Sequence, residues 1–272
     1  MKQALVTGAS SGIGRDIARE LAGRGYSLIL VARRGSRLHE LAAELGVPCR
    51  IITADLSSVD ACKQLYHDTR SKDLEIVVNN AGFGLFGAFT ETDLDTELRM
   101  IQTNVTAVHV LTKLFLRDFR AQNHGCLLNV ASSAGFMAGG PLMAAYYATK
   151  SYVLRLTQAI REELRHEGSA VRVCALCPGP VNTEFNGVAD VRFALPGLDS
   201  RAVARFGVEG LLAGRGVLVP GAAMRLSLAA KHLLPEALLT RVTYHFQKRK
   251  LDGGRQPGDT KERLTIRCQP QE

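Results

Sequence analysis

Thr7-Gly8-Ala9-Ser10-Ser11-Gly12-Ile13-Gly14 lies between the apolar run Ala4-Leu5-Val6 and a segment whose apolar residues recur at Ile13, Ile17, Ala18 and Leu21. Those positions share one helix face, so the glycines mark a strand-to-helix turn. Gly8 permits a tight bend, Gly12 lets backbone approach a bulky anion, and Gly14 allows helix and strand to pack closely. Unsatisfied N–H groups at a helix start attract phosphate, and the turn reads as a pyrophosphate cradle. The spacing is TGxxxGxG rather than GxGxxG, and a plain tight turn is the competing reading until the downstream residues are considered.

Tyr26 to Ala32 is almost wholly apolar, as in a strand buried on both faces of a parallel sheet, and it ends at Arg33-Arg34. An acid at this distance from the glycines would hold a ribose hydroxyl, whereas arginine suits a 2′-phosphate. Two arginines and no acid therefore favour NADP(H) over NAD(H), because guanidinium grips phosphate through paired hydrogen bonds. Solvated loop charge is the alternative; Arg15 and Arg37 are candidate helpers. A helix through Leu38, Leu41, Ala42 and Leu45 leads to a strand at Cys49 to Thr53 and then to Asp55-Leu56. Asp55 reads equally as a helix cap. Ile76-Val77-Val78 ends in Asn79-Asn80-Ala81-Gly82, short residues at the carboxyl edge of a strand, where ligands cross open α/β sheets. Asn79 is also suited to tying strands together, and Gly82 to Gly87 to walling a substrate mouth.

One long helical pattern runs from Asp93 to Phe119 and encloses Asn104, whose amide reads from the sequence as a core hydrogen-bonding group. Cys126 to Val130 is a further strand, with Ser132 and Ser133 at its end. Tyr146 and Lys150 stand four apart at the start of a helix continuing through Val153, Leu156, Ile160 and Leu164, so both face one side. A phenol titrates near 10, and a neighbouring ammonium favours its ionised form. Tyr147 is three from Lys150 and reads as a packing residue. The strand Val171 to Leu176 leads into Pro178-Gly179-Pro180-Val181-Asn182-Thr183. Phe185, Val188, Val191, Phe193, Leu195 and Leu198 then suggest either a lid over an apolar substrate or an ordered connector. A helix over 201–213 and a strand over 217–219 complete seven strands.

Thr7 to Gly14, Asn79 to Gly82, Ser132, and Tyr146-Tyr147-Ala148-Thr149-Lys150 resemble, in this order, the motifs of the classical short-chain dehydrogenases/reductases, over about residues 3–220. The resemblance implies an α/β fold: one Rossmann-like, doubly wound domain with a mostly parallel seven-stranded sheet and helices on both faces. It implies hydride transfer between NADP(H) and a carbonyl or alcohol carbon. Tyr146 would be the acid/base, Ser132 the carbonyl anchor, Lys150 the ribose ligand and Asn104 the holder of a relay water. The implied cofactor contacts are Gly8, Ser10, Ser11, Gly12, Ile13, Gly14, Arg33, Arg34, Asp55, Leu56, Asn80, Ala81, Gly82, Tyr146, Lys150, Pro178, Gly179, Val181 and Thr183. Ser132 precedes Gly135 by three, as the family serine does, but is 14 residues before Tyr146, one more than the common family spacing. An extra residue in the loop Ala138-Gly139-Gly140-Pro141 accounts for this, with Ser133 as the alternative. Two other functions stay open: an NADP(H)-binding regulator without turnover, and a membrane-surface enzyme acting on lipid carbonyls.

The length of 272 residues suits one large α/β domain. A net charge of +8 reports on solubility, and without a basic stripe interleaved with aromatics the expectation is no nucleic-acid partner. Six scattered cysteines suit reduced thiols; Cys174 and Cys177 form a CxxC with no second pair or His cluster to complete a metal site. With no signal-like start or long apolar span, the expected location is cytoplasmic. Residues 1–250 are assigned to the domain, 221–250 being a helical extension, and 251–272 to a disordered tail. In that extension Leu238, Val242 and Phe246 form a stripe beside Arg241, His245, Lys248 and Arg249, after Pro235. Such a helix rests on the body, on a second subunit or on anionic lipid, so 235–250 is the candidate for peripheral membrane contact. The family's habit of pairing long helices implies a homo-oligomer, dimer or tetramer.

Overall fold

In the computed structural model, which describes residues 2–184, 197–230 and 234–252, strands and helices alternate along the chain. β1 (Gln3–Thr7), β2 (Ser27–Ala32), β3 (Cys49–Thr53), β4 (Leu74–Asn79), β5 (Cys126–Val130), β6 (Arg172–Leu176) and β7 (Val217–Leu218) form one sheet. Its order is β3-β2-β1-β4-β5-β6-β7, with every neighbouring pair parallel. The strand order reverses at β1, so a crevice opens between the carboxyl ends of β1 and β4. That topology brings Gly8 to Asn80, far apart in sequence.

Alternate residues of each strand feed two cores, as the two-residue period requires. Ala4, Val6, Leu28 and Leu30 pack with Ile17, Leu21, Leu38 and Leu41 of α1 (Gly12–Ala22) and α2 (Gly35–Leu45). Leu5, Ile29 and Val77 pack on the other face against Leu65 of α3 (Val59–Thr69) and, further along, Leu111 and Phe115. Every residue of β2 is buried, matching its unbroken apolar run.

The helical pattern expected from Asp93 to Phe119 is divided. α4 (Leu94–Ile101) passes through a π-helical turn at Gln102–Ala107 before α5 (Val108–Gln122). Such a turn carries an extra residue per winding and often marks a functional position; here it carries Asn104. α6 (Ala144–His166), α7 (Ser200–Leu212), α8 (Ala222–Ala230) and α9 (Glu236–Asp252) follow.

α9 lies on the body of the fold. Its inward ridge is the half-buried Leu239 with the buried Thr243 and Gln247, Gln247 Nε2 donating to the Tyr147 hydroxyl at 2.8 Å. The predicted stripe of Leu238, Val242 and Phe246 is one residue round the helix and keeps 45%, 42% and 54% exposure. Polar Thr243 and Gln247 hid the packed face from a hydrophobic reading. The lid residues Phe185, Val188, Val191, Phe193 and Leu195, the tail from 253, Cys268 and the Arg249 side chain lie outside the described residues. Among the described residues the cysteines are free thiols, no acid, His or Cys cluster suits a metal, and no helix is long and apolar enough to cross a membrane.

Candidate active site

The glycine turn is fixed by its neighbours across the crevice. Thr7 Oγ1 donates to the Val78 carbonyl at 3.1 Å and accepts from the backbone N–H groups of Asn80 and Ala81 at 2.9 and 3.0 Å. Asn80 Nδ2 returns bonds to the carbonyls of Thr7 and Gly8 at 3.0 and 3.2 Å. Gly8 has φ +66°, and a Cβ there would stand 2.7 Å from Asn80 Nδ2 and 2.9 Å from Ala81 Cα. Gly14 packs so closely on the Gly8 carbonyl that a Cβ would come to 2.4 Å. At the start of α1 the Ser11 side chain makes no capping bond and the first turn carries no acid, leaving an electropositive end for an anion.

From this cradle extends a cavity of about 800 Å³. Gly8, Ser10, Ser11, Gly12 and Ile13 line it, as do Arg33, Arg34, Asp55 and Leu56, the Asn80-Ala81-Gly82 segment, and Ser132, Tyr146, Lys150, Pro178, Gly179, Val181 and Thr183. Gly14 and Asn104 stand behind its wall. Arg15, one of the candidate helpers, is also off the wall. Arg34 donates to Ser10 Oγ at 3.3 Å and Ser11 Oγ at 3.0 Å, so its guanidinium is bound to the glycine turn itself. Asp55 accepts from the Ser57 backbone N–H at 3.0 Å, and this bond holds its carboxyl below the usual range. Ser58, rather than Asp55, caps α3. A size sufficient for a dinucleotide, a cradle intolerant of side chains and a helix start free of acid together fit a nicotinamide dinucleotide.

Beneath the cavity the β4 and β5 ends are locked. Asn79 Nδ2 donates to Asn129 Oδ1 at 2.9 Å and to Thr112 Oγ1 at 3.1 Å, and Asn129 Nδ2 donates to Thr157 Oγ1 at 3.0 Å. These groups are buried, and although Asn79 Oδ1 itself has no hydrogen-bond partner, the bonds tie the ends of β4 and β5 together. Asn79 is thus structural, one of its two sequence readings.

Tyr146, Lys150 and Ser132 meet on the cavity wall. Ser132 stands beside the Tyr146 phenol, its Oγ donating to the Pro178 carbonyl at 3.5 Å and accepting from the Ala134 backbone N–H at 3.2 Å; Ser133 opens the short 3₁₀ turn. One turn along α6, Lys150 Nζ donates to the Val130 carbonyl at 2.9 Å. Asn104 is fully buried: its Oδ1 accepts from the Phe83 N–H at 3.0 Å, and its Nδ2 donates to the Phe83 carbonyl at 2.8 Å and to Thr149 Oγ1 at 3.2 Å. A Cβ on Gly82 would lie 2.8 Å from Asn104 Oδ1 and 3.6 Å from Lys150 Nζ, so the three converge on one point.

The electrostatics depart from the expectation of an acidified phenol. Burial pushes Tyr146 up to about 12, and the Ser132 hydroxyl offsets only part of that. Burial also pushes Lys150 down to about 8. Desolvation disfavours whichever form is charged, so it moves an acid up and a base down.

Sequence reasoning missed the wall supplied by the C-terminal helices. Met224 and Leu228 of α8 and Leu239, Val242 and Phe246 of α9 line the cavity with Tyr147. Tyr147 does pack, its ring lying where a Cβ on Gly140 would come within 2.1 Å, but it also faces the cavity. The available signal was the Leu239, Thr243, Gln247 spacing. Glu184 was also missed, its partners Arg34 and Arg37 lying about 150 residues away.

A family model described as short chain dehydrogenase matches residues 2–190. The chain belongs to that family. The dehydrogenase is 35% identical over 198 residues to an NADP-dependent 3-hydroxy acid dehydrogenase of Schizosaccharomyces pombe, covering 69% of this chain and 74% of the relative. A short-chain dehydrogenase from Sphingobium yanoikuyae, solved in complex with NADPH, superposes with a TM-score of 0.77 at 29% identity, over 97% of this chain and 100% of that one. A member from Burkholderia phymatum solved with NAD shares the fold, with a TM-score of 0.78 at 24% identity over 85% of this chain and 93% of that one. The dehydrogenase is therefore an oxidoreductase of the nicotinamide-binding, Rossmann-like type.

Proposed function

We propose that the protein reduces carbonyls, or oxidises the corresponding alcohols, with NADP(H) as coenzyme and Tyr146 as the acid/base. The observation that carries this reading is the meeting of Ser132, Tyr146 and Lys150 on the wall of a cavity whose lining also includes the glycine cradle and Arg34. When bound, the coenzyme supplies or accepts the hydride.

The chain's own groups do the rest. A phenol raised to about 12 holds its proton at neutral pH and so stands ready to give it to a carbonyl oxygen. The Ser132 hydroxyl donates to the same oxygen, stabilising charge as it develops. Lys150, charged below about 8, stabilises the phenolate left behind. Asn104, fixed by the backbone of Phe83 and by Thr149, is the residue to which we assign the relay water beside Lys150. Arg33 and Arg34 favour a 2′-phosphate, and an NADP-dependent relative and an NADPH-bound neighbour support that choice. The apolar wall from α8 and α9 favours a substrate with a sizeable hydrocarbon part.

The test is consumption of NADPH with a panel of ketones and aldehydes, followed by nicotinamide absorbance. Tyr146→Phe is expected to lower kcat by about 10² or more while NADPH binding persists. Tight NADPH binding with no turnover above that variant would instead support a regulator. For the coenzyme, Arg33→Ala with Arg34→Ala is expected to weaken NADPH far more than NADH; equal weakening overturns the 2′-phosphate assignment.

A further inference from the structure

Glu184 follows Thr183 at the end of the Pro178 turn, and both line the cavity. Its carboxylate accepts from Arg34 at 3.3 Å and, more closely, from Arg37. Arg34 uses its other terminal nitrogen on Ser10 and Ser11 of the glycine turn. A single side chain thus fastens the segment after β6 to the start of α2 and, through Arg34, to the cradle. The two guanidinium groups hold the Glu184 carboxyl below its usual range, Arg37 contributing most, so it is an anion at neutral pH. Arg33, by contrast, makes no hydrogen bond or ion pair with any described residue.

We infer that Glu184 is an internal anion occupying the donors that a coenzyme 2′-phosphate would use, and that it sets the coenzyme preference by competing with that phosphate. The inference rests on the 2′-phosphate reading of Arg34 given above. Carboxylate and phosphate both need in-plane guanidinium N–H donors, and Arg34 has one terminal nitrogen on the cradle and the other on Glu184. A phosphate with nearly two negative charges that approaches Arg34 is repelled by Glu184 and competes with it for the same terminal nitrogen. A coenzyme without the phosphate makes no such demand. Glu184 therefore penalises NADP(H) selectively, while keeping Arg34 and Arg37 ordered before a coenzyme arrives.

The competition is partly screened, because the Glu184, Arg34 and Arg37 side chains are each about two-fifths exposed. The expected effect is correspondingly moderate. Calorimetric titration of the full chain with NADPH, NADH, adenosine 2′,5′-bisphosphate and 5′-AMP reads it without turnover. Glu184→Gln keeps the shape and removes the charge. It is expected to tighten NADPH and the bisphosphate by about 5- to 10-fold at low salt, to leave NADH and 5′-AMP within about twofold, and to lose the gain near 1 M salt. Arg34→Ala is expected to weaken only NADPH and the 2′,5′-bisphosphate, which carry the 2′-phosphate, and to remove most of the gain from Glu184→Gln.

If Arg34→Ala weakens NADPH selectively but Glu184→Gln leaves it unchanged or weaker, Glu184 is a strap and the inference fails while the 2′-phosphate reading stands. Equal tightening of NADH and NADPH also overturns it. Equal weakening of both coenzymes by Arg34→Ala removes the 2′-phosphate reading itself.

Discussion

Lys150 Nζ stands 5.9 Å from the centre of the Tyr146 ring, one helical turn away and equally buried. Neither group has its charged form favoured by the fold alone. The protein holds an amine largely withdrawn from solvent on the cavity wall, a cost that is rarely borne outside functional sites.

That cost is measurable as stability. Unfolded, Lys150 titrates near 10.5; folded, near 8. Below about 8 it is charged in both states and the full cost is present; between the two values the unfolded chain binds the extra proton, so stability recovers as pH rises. Lys150→Met is expected to gain about 3 kcal/mol from desolvation and lose about 1 kcal/mol from the orphaned Val130 carbonyl. Thermal melts should show a variant more stable by roughly 5 °C at pH 7, the difference shrinking toward about pH 10. A variant less stable than the parent at both values sinks the argument.

Gly82 is a second point of leverage. A methyl group there intrudes on Asn104 Oδ1 at 2.8 Å and reaches within 3.6 Å of Lys150 Nζ. Gly82→Ala should cost about 1–3 kcal/mol in stability and lower kcat by about tenfold or more, as Asn104 and Lys150 are pushed apart. Denaturant melts and steady-state kinetics check both; unchanged kcat would mean that the convergence is without catalytic consequence.

The Gln247–Tyr147 bond fastens α9 over the cavity. Gln247→Leu leaves the Tyr147 hydroxyl without its donor in a buried setting and should raise KM for a bulky apolar ketone about threefold to tenfold. The Kd for NADPH should move less than twofold. Tyr147→Phe should act similarly, and the double variant should be little worse than either single one, since both break one contact. Additive losses would show that each residue acts separately.

The fold and cradle were legible because their signals are local. A two-faced apolar strand such as β2, a glycine-rich turn and a 3.6-residue stripe on α1 each report on their own neighbourhood, and the chain places them in order. The meeting of Ser132, Tyr146 and Lys150 on one wall was legible through motif order, and Ser133, the alternative to Ser132, lines the same cavity. The upward shift of the phenol was hidden because spacing on a helix shows a neighbouring charge but not the depth at which both groups are buried. The π turn at Asn104 and the salt bridge of Glu184 depend on partners distant in sequence, Phe83 in one case and Arg34 and Arg37 in the other. α9 was read one residue out of phase because its inward face carries Thr243 and Gln247, which a hydrophobicity pattern assigns to water.

The groups to which we assign the reaction come from segments ending at Thr183, while α8 and α9 add Met224, Leu228, Leu239, Val242 and Phe246 to the apolar lining. Chemistry and selectivity are thereby encoded in separate stretches of the gene. Drift in the last helices can retune which molecules are accepted without disturbing proton transfer, and a library confined to positions such as Met224, Leu228 and Phe246 is the economical place to begin redirecting this scaffold.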